Sequence, residues 1–169
     1  MTSMDKRGPD IRRVVTGHNE QGQSTISIDA FATNHRFPAE SVTSTTLWST
    51  DTMPVQFLLQ EDYGARKLGT AAPPNGTRFT WLELKPGYNP SNMHRTDSLD
   101  CTIVLAGHPK LVMEDGSSVT LNPHDVVVHR GTNHSWVNDT NEPVKMFGVL
   151  VDGTPKREGS LSGTKLADT

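Results

Sequence analysis

Between residues 11 and 152 the chain is cut into short runs of β-branched and aromatic residues, broken at regular intervals by Gly, Pro, Asn and Asp. That pattern leaves little room for helix. The runs IRRVVTG and STISIDA flank the turn-like HNEQGQ and predict a hairpin. STTLWST follows, then a Gly-, Ala- and Pro-rich stretch over 60–76 that predicts a long loop, then TRFTWLELKPG. DCTIVLAG, PKLVME, the Asp115–Gly116 turn and SSVTL come next. DVVVH, the RGTN turn, HSWVN and VKMFGVLV complete the set. Roughly ten strands at this spacing predict an all-β sandwich or barrel of antiparallel strands. A short helix is expected only in 50–64.

A chain of 169 residues predicts one domain. Residues 1–10 read as a flexible arm, 11–152 as the barrel with its core at about 75–152, and 153–169 as a flexible tail. The net charge is −3 and the basic residues are scattered, which argues against a nucleic-acid partner. No apolar run approaches the roughly 20 residues of a membrane span, and the first ten residues carry no apolar signal core. The expectation is a cytoplasmic protein without a membrane partner. Cys101 is the only cysteine, which excludes an intrachain disulfide and a Cys-rich zinc centre. Its apolar neighbours predict a buried small side chain.

The segment MHRTDSLDCTIVLAG, 93–107, is polar first and apolar later. Gly87 lies upstream, His94 and Thr96 stand two apart, Asp100 follows, and Gly107 closes the motif after six intervening residues. In the later segment HDVVVHRGTNHSWVN, Gly131, His134 and Asn138 form a second motif, with two and then three residues between them. These two motifs resemble those of the cupin superfamily, small β-barrels of jelly-roll type. The resemblance covers about 75–152. Thr96 stands at the family's second histidine position and Asp100 at its glutamate position. The spacer from Gly87 to His94 is one residue longer than usual. His124 stands where a glycine normally precedes Asp125, and His129 stands at a proline position.

The resemblance implies a jelly-roll barrel of two antiparallel sheets, with His94, Asp100 and His134 converging in one cavity. Two histidines and a carboxylate are a set that can hold one divalent ion, Fe, Mn or Zn. His129 is a possible fourth ligand, although its place before RGTN predicts a surface turn. A metal-free site is the alternative, in which the same three residues act as catalytic acids and bases. Thr96, Trp81, Glu83, Tyr88, Met93, Trp136 and Phe147 are expected to line the substrate pocket. The remaining histidines, His18, His35, His108 and His124, read as loop or turn residues, and Arg95 as a surface partner of Asp97.

The functional expectation is a small-molecule tailoring enzyme with non-oxidative lyase or isomerase chemistry. Dehydration or decarboxylation of a polyketide-like or aromatic intermediate would suit such a pocket. The alternatives are an Fe(II)-dependent dioxygenase and a non-catalytic binding cupin. A small apolar substrate and a homodimer are the expected partners.

Overall fold

The computed structural model describes residues 8–57 and 60–154. The expected arm and tail fall largely on 1–7 and 155–169, outside the described residues. Eleven strands are present among the described residues: β1 (Arg12–His18), β2 (Ser24–Phe31), β3 (His35–Ala39), β4 (Val42–Thr50), β5 (Thr77–Leu84), β6 (Ser98–Ala106), β7 (Lys110–Met113), β8 (Ser118–Thr120), β9 (Val126–Arg130), β10 (His134–Val137) and β11 (Val144–Asp152). The sequence pattern missed β3, whose proline and charged residues mask it. His35 therefore lies in a strand rather than a loop, with Nδ1 2.8 Å from Thr45 Oγ1.

The helix expected in 50–64 is absent from the described residues there. Pro54, which lacks an amide proton, interrupts the segment, and Asp62 Oδ1 accepts from Gly64 N at 2.9 Å to hold a turn. Residues 60–76 form the expected loop. Arg13 of β1 grips this loop through a two-pronged ion pair with Asp62, both contacts at 2.5 Å.

The strands form a six-stranded antiparallel sheet in the order β3-β4-β5-β11-β6-β9, a three-stranded sheet β10-β7-β8, and the separate hairpin β1-β2. Val42, Leu84, Val104, Val144 and Met146 of the large sheet pack with Leu111 and Trp136 of the small one, and with Leu121, into a single core. This is the all-β jelly-roll architecture of the cupins. Turn glycines allow it: Gly107 has φ of 78°, and a Cβ there would meet Pro143 O at 2.8 Å. His124 takes a φ of 78° with a full side chain, at the place where the family usually has glycine.

Register turns this fold into a graded cavity. Across the inner face of the large sheet, Leu82, Met146 and Val104 form one row. The next row is Thr80, Gly148 and Thr102. The third is Arg78, Leu150, Asp100 and His129. Because side chains alternate with period two, each step of two residues moves the wall from apolar to polar. The core therefore sits at one end of the barrel and the polar side chains at the other.

Asn138, fully buried, locks the apolar end. Its amide donates to Leu84 O at 3.1 Å and Glu142 O at 2.8 Å, and its Oδ1 accepts from Thr140. Asn138→Ala removes the donor to the Leu84 carbonyl, while Glu142 O keeps its bond from Thr140 Oγ1 at 3.2 Å, and is expected to lower stability by about 1–3 kcal/mol in urea unfolding. A change under about 0.5 kcal/mol, the size of an ordinary surface substitution, would contradict this role.

Candidate active site

The site consists of two cross-strand pairs, one from each sheet. Asp100 of β6 stands directly opposite His129 of β9 in the large sheet. His94 stands directly opposite His134 of β10, and the two exchange both backbone hydrogen bonds at 2.9 Å. This bridge adds the His94 segment to the edge of the small sheet. Opposed residues in an antiparallel pair point to the same face. The four side chains therefore meet at the seam between the sheets. The ring centroids of His94 and His134 are 4.6 Å apart, and those of His129 and His134 are 4.1 Å apart. Trp136 stands edge-on to both His129 and His134.

Burial sets the charge of this cluster. Desolvation, and then the nearby His134, push the His94 pKa down to about 4. Desolvation, followed by His134 and His94, pushes His129 down to about 3. His134 is also lowered by burial, and two influences oppose the shift, the Thr132 carbonyl and the charge of Asp100. Burial raises Asp100, against the hydroxyls that bind it. Ser98 Oγ lies 2.5 Å from Asp100 Oδ1, and Thr96 Oγ1 donates to Asp100 Oδ2 at 3.2 Å. At neutral pH the three rings are therefore uncharged.

The tautomer of His134 follows from its partner. A carbonyl only accepts, so Nδ1, 2.9 Å from Thr132 O, carries the proton. Nε2 is left with a lone pair. His129 Nε2 is buried without a hydrogen-bond partner. Neutral imidazoles and a carboxylate are metal ligands in kind. As placed, however, no three His, Cys, Asp or Glu side chains among the described residues are arranged to hold one ion. Asp100 is instead engaged by two hydroxyls.

The cavity around the cluster has a volume of about 530 Å³. Of the residues expected from sequence, His94, Thr96, Asp100, His134, Tyr88, Met93 and Trp136 line it. His129 also lines it and is only 4% exposed, so it is no surface-turn residue. Strand β9 continues through Arg130, which pairs with Leu99, and this draws His129 inside.

Trp81, Glu83 and Phe147 do not reach the cavity. They lie on the opposite faces of β5 and β11 from the lining residues Leu82, Leu84, Met146 and Gly148. Trp81 Nε1 donates to Glu83 at 2.9 Å, so the indole is satisfied without entering the barrel. Phe147 packs beside Phe79, with centroids 6.5 Å apart. Cys101 is exposed rather than buried. Its neighbour Asp100 faces in, so alternation turns Cys101 out. Arg95 does pair with Asp97, at 3.5 Å, but is more enclosed than a surface charge.

Three members of the site were missed in sequence. Ser98 steadies Asp100, and Asn92 and Arg78 line the cavity. Arg78 carried a signal, since it shares the strand parity of Leu82 and Leu84.

Comparison with known proteins agrees with this architecture. The cupin domain model matches residues 80–151. A phomopsin biosynthesis cluster protein of Diaporthe leptostromiformis is 30% identical over 99% of this chain and 96% of its own. A cupin-domain-containing oxidoreductase of Hypocrea virens is 32% identical over 87% of this chain and 80% of its own. An oryzines biosynthesis cluster protein of Aspergillus oryzae is 28% identical over 89% of this chain and 88% of its own. With a matching barrel, matching motifs and relatives that span nearly its whole length, this chain belongs to the cupin-domain proteins.

Proposed function

We propose that this cupin is a tailoring enzyme of fungal secondary metabolism that moves protons on a small organic substrate. The observation that carries the reading is the pair of cross-strand couples, His94–His134 and Asp100–His129, at the polar end of an otherwise apolar cavity. The names of the biosynthesis-cluster relatives support the metabolic setting. The reading includes a cytoplasmic location; among the described residues no helix is long and apolar enough to cross a membrane.

In this reading His134 Nε2 removes a proton from carbon next to a carbonyl. Asp100 stabilises the imidazolium that forms. In a dehydration, the electron pair of the broken C–H bond forms the double bond and the C–O bond breaks. The departing hydroxyl takes a proton from Tyr88 and leaves as water. His134 then returns its proton to the tyrosinate, which restores the site. A double-bond shift uses the same base; in a decarboxylation the C–C electron pair stays on carbon as CO2 leaves and takes a proton from Tyr88, which solvent reprotonates. Burial raises the Tyr88 pKa, which keeps its proton available at neutral pH. Such acid–base groups typically contribute ~10²- to 10⁴-fold.

The relatives named cupin-domain-containing oxidoreductases favour a second reading, redox chemistry at a divalent ion such as iron. His94, Asp100, His134 and His129 are the residues that could serve such an ion. A fold alone does not choose between these chemistries.

The test uses 3-hydroxy-3-phenylpropanoate as a probe, followed by NMR in D2O without oxygen and with chelator present. Dehydration or deuterium uptake next to the carbonyl is expected. His134→Ala and His94→Ala should each lower that rate by ~10²- to 10⁴-fold. Asp100→Asn should lower it too, and His108→Ala should not. Wild-type rates in all three folded site variants would refute the assignment. Turnover that appears only with oxygen and iron would favour the redox reading instead.

A homodimer is part of the same reading. Leu99, Leu105, Val126 and Val128 leave an apolar outer face on β6 and β9, and the β1-β2 hairpin exposes Val14, Ile26 and Phe31. A second copy would cover such surfaces. Light scattering at micromolar concentration should give the mass of two chains, and a monomer mass would contradict it.

A further inference from the structure

Arg78 has a function that the proton-transfer chemistry does not use. It is 1% exposed and lines the cavity. Its Nη1 donates to the carbonyls of Gly69 and Thr70 at 2.6 and 2.7 Å. Its Nη2 donates to Ser44 Oγ at 3.1 Å and, more weakly, to Thr46 Oγ1 at 3.4 Å. Its Nε has no partner. No carboxylate of the described residues forms an ion pair with it. A buried guanidinium with only neutral partners is costly, because a desolvated charge calls for an opposite one. Burial, together with the charge of Arg36, pushes its pKa down to about 10, so it stays a cation at neutral pH.

Its anchoring of the loop at 69–70 accounts for Nη1 only. A purely structural donor to two carbonyls needs neither a buried Nε without a partner nor a place in the cavity wall. Asp100 does not neutralise it. The two lie in one row with Leu150 between them, so their Cα atoms are about 10 Å apart at two strand spacings. The row thus has a fixed cation at one end and the imidazoles at the other. Gly148 leaves the wall beside that row without a side chain, between Thr80 and Thr102. Ser44, Thr70 and Thr80 add hydroxyls around the cationic end. Val42, Leu82, Leu84 and Met146 make the neighbouring wall apolar.

We propose that Arg78 is the anchor for a substrate carboxylate, so that the cavity takes an organic acid with an apolar body and presents its reactive carbon to the histidines. This deepens the enzyme reading and rests on it for the word substrate. The binding itself stands on Arg78 alone. A carboxylate seated against the guanidinium, in place of or beside the hydroxyls that Nη2 now binds, would supply the missing counter-charge. A neutral ester, amide or alcohol of the same shape would leave the cation unpaired, and discrimination of that kind is large in a desolvated site.

Calorimetric binding of trans-cinnamate and of cinnamamide tests this without turnover. Wild-type protein is expected to bind the acid at least tenfold more tightly than the amide. In Arg78→Gln the preference should fall to near unity, and in Arg78→Lys it should partly persist. In His134→Ala it should remain, because that variant removes the base and leaves the anchor. Equal binding of acid and amide by wild type, or no binding of cinnamate at millimolar concentration, overturns the proposal even if Arg78→Gln fails to fold. So does a preference that disappears in His134→Ala and survives in Arg78→Gln, which would place the anion on the imidazoles. Loss of catalysis with an intact acid preference would instead count against the proton-transfer reading alone.

Discussion

The reciprocal backbone hydrogen bonds between His94 and His134 hold the site together. They are a single bridge from His94, which lies in no named strand, to the first residue of β10, yet they join the segment after the Gly87 turn to the edge of the small sheet. Without them His94 would sit on a loop and its ring would have no fixed direction. With them, His94 faces the same cavity as His134, and the large sheet brings Asp100 and His129 to the same seam. The desolvation that makes the three rings neutral follows from this closure, since each ring is packed against another rather than against water. The proposed role of His134 as base rests on a second contact. Thr132, two residues upstream in the turn, fixes its proton on Nδ1.

The large sheet divides labour along its strands. Near Asn138 and Leu84 the inward side chains are apolar and stabilise the barrel. Two rows on, threonines and Gly148 take over, and the last row carries Arg78, Asp100 and His129. The packed core and the candidate site are thus built from different residues of the same strands. The polar end carries buried charge and an orphaned imidazole nitrogen, which an apolar core would not tolerate. The apolar end compensates for that local cost.

Much of this was legible in the chain. Turn glycines, the Asp115–Gly116 hairpin and period-two runs are local signals, so most strands and the fold class could be read directly. His94, Thr96, Asp100 and His134 were legible because motif spacing places them. Strand parity was not legible where both faces are apolar. In TRFTWLEL either the aromatic or the leucine face can be buried, and the choice depends on partners distant in sequence. The leucine face packs inside, which sends Trp81 and Glu83 out and brings Arg78 in. Cys101 illustrates the same point, because Asp100 and its neighbour cannot both face inward. His129 was obscured by its closeness to a turn, and only its pairing with Asp100 reveals that the strand runs past it. Ser98 gave no signal, since a serine beside a carboxylate is common in any turn.

The account depends most on the imidazoles being neutral, with His134 holding its proton on Nδ1. Nitrogen-15 NMR of the histidine rings across a pH titration reads both properties directly. The result expected is that His94 and His129 stay uncharged down to about pH 4 and about pH 3, and that His134 titrates below the ordinary histidine value of 6.5. The His134 spectrum should show a protonated Nδ1 and a bare Nε2. Protonation of these rings at or above pH 6.5, or an Nε2-protonated His134, would contradict the account.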